Sequence, residues 1–483
     1  MRNHRRQMTA DLVPSPETRR PLSYQTFLED LLPPILCYYA TAVLVTLPNT
    51  ILIRLALLPV TLWTLFRACT TVDLVKSLED DRLIYWNHGL LLVFGTMAMR
   101  VIAWTFPLQP YERARASQKV ACDDEDKHQT PSSVLSIARD ASDLITNLRG
   151  SDWDWSTGLQ LPPETRHTLA RPRFILQTLA SAVWHIILLD NAHYGVQSFS
   201  PTTIGSSDGG TIFDMNLEPV PRYFRSSAMC LIAGFTIYSA MQTAYDILTI
   251  IGVLIFAQHP EQWPPLFHSP WKATSLNEFW TRRWHQLFRH QFISVGGKPM
   301  FFLLGRVGAV MGVFLMSGIF HHIGLWGMGR GSDFAYVGGY FLMMGVGVVL
   351  EAGWKKVTDS KVQGWVGWVW TMLWVVGWAN ILVDEWSRRG LVGSMFMPTS
   401  MRPSTYLLAS NSFPRLILTH AYDLLLERRN RMHSRIQTVN VWWTTVSISS
   451  LFNSYGKIAT LITLMRPWPQ MRRVGILATN WEG

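Results

Sequence analysis

Residues 275–324 decide the reading of this chain: SLNEFWTRRWHQLFRHQF (275–292), then ISVGGKPMFF (293–302), then LLGRVGAVMGVFLMSGIFHHIG (303–324). Ser275 and Glu278 stand at capping-box spacing, the signature of a helix N-terminus. Leu276, Phe279, Trp280, Trp284, Leu287 and Phe288 then recur at helical spacing. Arg282, His285 and Arg289 share the opposite face of that expected amphipathic helix. His321 sits near the end of an apolar span. A histidine in hydrocarbon is costly unless it has a function or a partner. Two such histidines flanked by arginines predict a buried acid/base site beside an anion-binding surface. That arrangement suits an enzyme working on lipid-soluble substrates with a polyanionic donor. The same pattern also fits an interfacial helix whose arginines snorkel, and a packed His321 without chemistry.

Composition places the segment in a membrane. The chain has 483 residues, 48% hydrophobic and only 16% charged, with 22 Trp and 23 Phe. Trp and Tyr concentrate where one end of the ring is apolar and the other wet. The net charge is +10, but the basic residues flank apolar spans, so anionic headgroups or a phosphorylated co-substrate fit better than nucleic acid. Cys37, Cys69, Cys122 and Cys230 are scattered, with neither metal-ligand nor disulfide-framework spacing. Walker A and HExxH motifs are absent from the sequence, and its one GxSxG match, GSSDG at 205–209, lies in the Gly/Ser/Pro-rich loop.

The expected fold is all-α: a polytopic membrane protein of about eight transmembrane helices with a cytosolic amphipathic helix. The spans are Leu31–Leu47, Ile51–Phe66, Trp86–Phe106, Phe174–Leu189, Ser226–Ala257, Phe301–Ile323, Phe334–Leu350 and Gln363–Val383. The first two form a tight hairpin across PNT, and the fifth is long enough to tilt, protrude or break. The domain plan is a polar tail over 1–30, a membrane domain over 31–383 and a basic tail over 384–483. The membrane domain holds a soluble loop at 107–171 and the signature region at 261–324. The basic loops His259–Met300 and Gly353–Lys361 read as cytosolic, and Ala192–Arg222 as luminal. The basic N-terminus conflicts with the span count.

Other polar residues join the candidates. Ser317 precedes His321 by one turn and is expected to hydrogen-bond its imidazole. His322 faces elsewhere on the helix. Gly305, Gly308 and Gly312 predict close helix packing. Asp246 lies inside an apolar run, read equally as the ion-pair partner of a basic residue such as Arg54 or Arg100 and as a functional group. Trp365, Trp368, Trp370, Trp374 and Trp378 line the last span, as packing or as a wall for a bulky ligand.

At EQWPPLFHSPWKATSLNEFWTRRWHQ (261–286) and FLMSGIFHH (314–322) the chain resembles the wax synthase-like branch of the membrane-bound O-acyltransferase superfamily. In particular it is similar to fungal members that acetylate hydroxyls of terpenoid and meroterpenoid metabolites. The resemblance implies His321 as the catalytic base and His285 as the second polar position of the site. It implies acetyl-CoA as co-substrate, with no permanently bound cofactor and no metal. Arg282, Arg283, Arg289 and Lys298 are the candidates for its phosphates. The implied partners are a lipophilic alcohol and membrane lipid, and the implied location is the endoplasmic reticulum membrane. His322 stands where plant relatives usually carry Glu, and the segment after Asp384 matches no pattern of the family. A wax-ester or sterol-ester synthase and a proton-coupled transporter of lipophilic metabolites are the competing readings.

A straight helix from Met300 would put His321 about 30 Å from the cytosolic end. The two histidines then meet only if the basic segment dips inward or the donor reaches down a tunnel.

Overall fold

A computed structural model of the chain describes residues 14–114, 133–156, 161, 166 and 170–408. Among them, eight helices are long and apolar enough to cross a membrane, so the all-α polytopic architecture holds. In chain order the helices are α1 (Leu32–Val45), α2 (Ile51–Thr71), α3 (Tyr85–Thr105), α4 (Val134–Thr146), α5 (Arg171–Gln197) and α6 (Pro219–Leu254). Then come α7 (Arg289–Phe292), α8 (Lys298–Leu325), α9 (Phe334–Thr358), α10 (Gly364–Arg388) and the short α11 (Pro403–Leu408). A short parallel pair, β1 (Arg20–Pro21) and β2 (Val72–Asp73), ties the chain start to the end of α2.

The expected hairpin of α1 and α2 is present. Thr50 Oγ1 closes it by donating to the Leu44 and Leu47 carbonyls, at 2.5 and 3.0 Å. Helix α6 runs 36 residues, about 54 Å, well beyond a hydrocarbon core of about 30 Å. The soluble loop contributes α4, whose buried Ala141 and Leu144 face the bundle. Arg100 donates to the Leu144 and Asn147 carbonyls there. The acidic run at 122–126 lies outside the described residues.

The helices alternate in direction. The described residues of the 106–170 loop and the loops 255–277 and 358–364 gather at one end, which carries Glu351. Residues 14–21 and the loops 198–218, 326–333 and 389–402 gather at the other, which carries Asp384. Contacts mark both ends: Arg149 donates to the Pro264 carbonyl at the first (2.7 Å), and Arg19 to the Gly327 carbonyl at the second (2.5 Å). The basic loop 353–361 and the glycine-rich loop 198–218 are thus at opposite ends, as their charge predicts. Residues 14–21 share the end of 198–218, opposite to the end that the basic charge of the chain start favours, and residues 1–13 lie outside the described residues.

The expected boundary after residue 383 falls inside α10, which continues to Arg388. Asp384 accepts from Thr211 Oγ1 (2.6 Å) and the Ile212 N–H (2.9 Å) and pairs with Arg388 (2.6 Å). Arg402 forms a buried ion pair with Asp190 on α5 at 2.6 Å. The rest of the expected tail, 409–483, lies outside the described residues.

The largest departure from the sequence reading concerns Arg289–Arg330, which reads as a cytosolic loop up to Met300 followed by one span over Phe301–Ile323. It is a hairpin. At Leu304 (φ −132°, ψ 15°) and Gly305 (φ 61°, ψ −148°) the backbone leaves helical geometry and reverses. The Gly305 conformation is one that residues with a Cβ rarely adopt. The first arm comprises α7, the π-helical turn Ile293–Gly297 and the start of α8. The second arm, residues 305–325, returns along it. A Cβ on Gly296 would stand 2.3 Å from the Gly312 carbonyl oxygen, and one on Gly312 would stand 2.4 Å from that of Gly296. A Cβ on Gly308 would meet the Met300 carbonyl oxygen at 2.3 Å. Of the three glycines expected to pack closely, Gly308 and Gly312 do so, while Gly305 makes the turn.

This packing yields a test. Gly312→Ala puts a methyl against backbone that cannot yield without parting the arms. The expected result is a loss of about 1–3 kcal/mol, read as a lower melting temperature in detergent. Gly234→Ala on α6, where a Cβ meets nothing within 4 Å, should melt like the parent. Equal melting of both variants would refute the close-packed hairpin.

Candidate functional site

The signature segment begins at the Glu351 end. There Glu351 of α9 accepts from the Leu276 N–H (2.6 Å), the Asn277 N–H (3.0 Å) and Trp370 Nε1 (3.0 Å). One carboxylate thus satisfies backbone donors that a helix start leaves open. Ser275 Oγ accepts from the Glu278 N–H at 3.0 Å, the expected half of the capping box. The other half is displaced by one residue: Glu278 accepts from the Thr274 N–H (2.8 Å) and Oγ1 (3.0 Å).

The expected continuous amphipathic helix does not form. One helical turn, Leu276–Glu278, passes into a π-helical turn, Phe279–Arg283, and Trp284 is extended (ψ 153°). Aromatic packing supports the break, with Phe279 stacked on Trp284 at 5.5 Å and Trp280 edge-on to Phe314 at 5.8 Å. The Gln286 amide donates to the freed Trp280 and Trp284 carbonyls at 2.9 and 2.8 Å. Arg282, His285 and Arg289 therefore do not share one helical face.

The segment instead runs inward. It starts beside Glu351, passes Phe314 at Trp280, and turns at 284–288. There Phe288 meets Phe320 at 5.1 Å. The hairpin's first arm then climbs back to the Glu351 end, and the second arm descends to His321. From Gly305 to His321 that descent is about 24 Å at helical rise. The basic segment thus dips inward, and Phe288, 5.7 Å from His285, links it at 5.1 Å to Phe320, the residue before His321. The expectation that all of His259–Met300 lies in a cytosolic loop is corrected by the same fold.

His321 is partly buried. Its ring lies flat on Phe341, with centroids 4.6 Å apart and planes 6° apart, and Trp386 is 6.5 Å away. Ser317 is buried, but no hydrogen bond among the described residues joins it to the imidazole, contrary to expectation. His285 is walled by Phe267, Trp284 and Phe288 at 5.7–6.0 Å, and its Nδ1 is buried without a partner. His322 faces Phe334 at 5.4 Å, away from this pair.

The sequence reading missed His88, on the first turn of α3. It is 7% exposed, and both ring nitrogens are buried without a partner among the described residues. Its Nε2 lies 3.0 Å from where a Cβ on Gly324 would be, one turn beyond His321. An ionisable side chain near the start of the third apolar span was the available signal. Arg149 was also missed. It donates to the Pro264 and Pro265 carbonyls and to the Tyr245 hydroxyl, fixing the start of the signature region to α6.

The four basic candidates do different things. Arg283 is committed inside the protein: it pairs with Glu278 at 2.7 Å and donates to the His268 and Ser269 carbonyls at 3.0 and 3.3 Å. Arg282 and Lys298 are exposed, and Arg289 is partly buried at the base of the first arm. Lys298 stands roughly 13 Å further along that arm than Arg289. Asp246 pairs with neither Arg54 nor Arg100. It accepts from Ser181 Oγ (2.7 Å) and the Gln242 amide (2.8 Å), with His185 at 3.9 Å. Arg54 and Arg100 instead donate to backbone carbonyls. Among the five tryptophans expected to line the last span, Trp365 is 79% exposed, whereas Trp374 donates to the Met343 carbonyl of α9 at 2.9 Å.

Burial alone would raise the Glu278 carboxyl. The Thr274 backbone and hydroxyl and the Arg283 guanidinium outweigh it and hold the group below the usual carboxylate range. A depressed carboxylate adds stability above its unfolded value, near 4.5, and loses it as pH falls through the folded value. Arg283→Ala should therefore lower the melting temperature at pH 7, with the gap from the parent narrowing below about pH 4.5. A gap that stays constant with pH would assign Arg283 no such role.

Comparison with known proteins bears on the same segment. Residues 263–343 match the model of the membrane bound O-acyl transferase family, which covers the inward segment, the hairpin and the start of α9. Three similar proteins are named acetyltransferases. Acetyltransferase spyB of Aspergillus fumigatus is 27% identical over 52% of this chain and 47% of its own length. Acetyltransferase atnC of Arthrinium sp is 26% identical over 56% and 67%, and acetyltransferase aurG of Calcarisporium arbuscula is 23% identical over 59% and 74%. The match therefore spans about half the length of the first relative and more of the others. With its inward segment, hairpin and flanking apolar helices, the chain is an all-α polytopic membrane protein that, over residues 263–343, is similar to the membrane bound O-acyl transferase family.

Proposed function

We propose that this protein transfers an acetyl group from acetyl-CoA to a hydroxyl of a lipophilic terpenoid or meroterpenoid alcohol, in the endoplasmic reticulum membrane. The observation that carries the reading is the hairpin, which returns His321 to the depth that His285 reaches from the basic end. The acetyltransferase names of the relatives support the acyl group. Arg282, Arg289 and Lys298 lie on the two limbs that lead from the Glu351 end to the histidines and suit the phosphates of coenzyme A. Arg283, already paired, holds the segment's shape.

In the reaction, neutral His321 accepts the proton of the alcohol as its oxygen attacks the thioester carbonyl carbon. A C–O bond forms, and the carbonyl oxygen becomes an oxyanion that His285 faces. The oxyanion collapses, the C–S bond breaks, and the thiolate takes the proton from His321. The products are the acetate ester and coenzyme A, with both histidines restored. The parallel Phe341 ring fixes the plane of His321, and the surrounding aromatic wall limits water as a competing nucleophile.

The test uses membranes bearing the full chain, labelled acetyl-CoA, and a panel of terpenoid alcohols read by mass. His321→Ala should remain in the membrane at near-normal abundance and lose acetyl transfer by at least about 10²-fold, the lower end for a missing general base. His322→Ala should be much milder. Wild-type turnover in His321→Ala would overturn the assignment, and a preference for long-chain donors would move the reading to ester-lipid synthesis.

A further inference from the structure

His88 is a buried polar group that nothing in the protein's own packing explains. Its neutral imidazole has one donor and one acceptor, and both nitrogens are buried without a partner among the described residues. A phenylalanine or leucine would fill such a position without that desolvation penalty. Its ring is held in place, stacked beside Tyr85 at 5.8 Å, and Tyr85 in turn meets Phe396 edge-on at 4.4 Å. Contacts further along α3 fix it against the hairpin's second arm: a Cβ on Gly324 would reach Leu92 at 2.7 Å, and one on Gly95 would reach Phe320 at 3.3 Å. Gly324 leaves no side chain between His88 Nε2 and the helix that carries His321.

The geometry has a direction. His285 reaches His321 on a segment that enters from the Glu351 end, where the unpaired basic side chains lie. His88 comes from the start of α3, at the Asp384 end, and meets the helix one turn beyond His321. Gly324, beside His88 Nε2, is three residues from His321, about 4.5 Å along the helix axis. His285 and His88 thus approach the helix that carries His321 from opposite ends of the bundle.

We infer that His88 is the hydrogen-bonding contact for the acceptor alcohol, recognising its hydroxyl or an adjacent oxygen on the side of His321 away from the acyl donor. The inference rests on the proposed acetyl transfer to an alcohol. In the resting protein His88 carries the cost of unpaired nitrogens, and the bound alcohol supplies the missing partner. A site that hydrogen-bonds a substrate oxygen discriminates strongly against a molecule lacking it.

The test compares His88→Leu and His88→Gln in the purified full chain in detergent, with each substrate varied in turn. His88→Leu should fold and melt at or above the parent temperature, because it removes an unsatisfied group. Its kcat/KM for the alcohol should fall about tenfold or more, while KM for acetyl-CoA stays within about twofold. His88→Gln, which keeps a donor and an acceptor, should recover part of the loss. Stabilisation of the protein by the alcohol without acetyl-CoA should weaken in His88→Leu. That readout separates failure of this inference from failure of the proposed reaction, which wild-type acetyl transfer reports directly. Unchanged alcohol kinetics and alcohol stabilisation in His88→Leu would overturn the inference. A parallel rise in both KM values with a lowered melting temperature would overturn it as well, because that is the signature of a structural role.

Discussion

Two backbones touching at Gly296 and Gly312 hold the site in place. The arms of the hairpin approach so closely that each glycine's missing Cβ is replaced by the other's carbonyl oxygen. In a membrane, helices gain little from burying apolar surface against one another, because lipid is equally apolar. Close van der Waals approach is what holds them together. The contact continues through Gly308 and Met300 to the reversal at Gly305. Everything on the two arms is placed by this one register, including the depth at which Phe320 meets Phe288.

Buried carboxylates do the complementary work at the two ends of the bundle. Glu351 anchors the first turn of the inward segment through two backbone N–H groups. Asp384 anchors loop 198–218 through Thr211 and Ile212, Glu385 accepts from the Asp333 N–H at 2.9 Å, and Asp190 holds both Arg402 and the Ser404 N–H. Irregular backbone at the end of a membrane bundle must find partners for its donors. Carboxylates projecting from rigid helices supply them with charge-assisted bonds that hold better than neutral ones. The segments fixed this way are those that border the site: the signature segment at one end, and the Asp384-end loops around α3 and α10 at the other.

The site is accordingly a convergence of parts far apart in sequence. His285 arrives on a broken, aromatic-packed segment, His321 on the returning arm of a hairpin, and His88 on the first turn of α3. Phe341 of α9 and Trp386 of α10 flank His321. Three histidines approach one apolar interior, with no acid paired to them among the described residues, an arrangement that suits the proposed exchange of one proton between a hydroxyl and a thiolate.

The sequence by itself determined the eight apolar spans, their all-α class, the opposite ends of the basic and glycine-rich loops, and the candidacy of His285 and His321. Those follow from local quantities: the length of an apolar run, the charge of its flanks, and the cost of an ionisable group in hydrocarbon. Only the tertiary structure decided how the two histidines meet. Residues 289–300 carry Arg289, His290 and Lys298 and so read as loop, and no local signal within 301–323 marks a reversal at Gly305. The reversal depends on a left-handed glycine and on contacts between residues brought together by it. The regular spacing of 276–288 likewise predicted a helix, which aromatic packing and the Gln286 amide overrode at Trp284. The partners of Asp246, Arg283 and His88 lie on other elements, and a partner's identity is fixed by which helices pack together, not by the residues beside it in the chain.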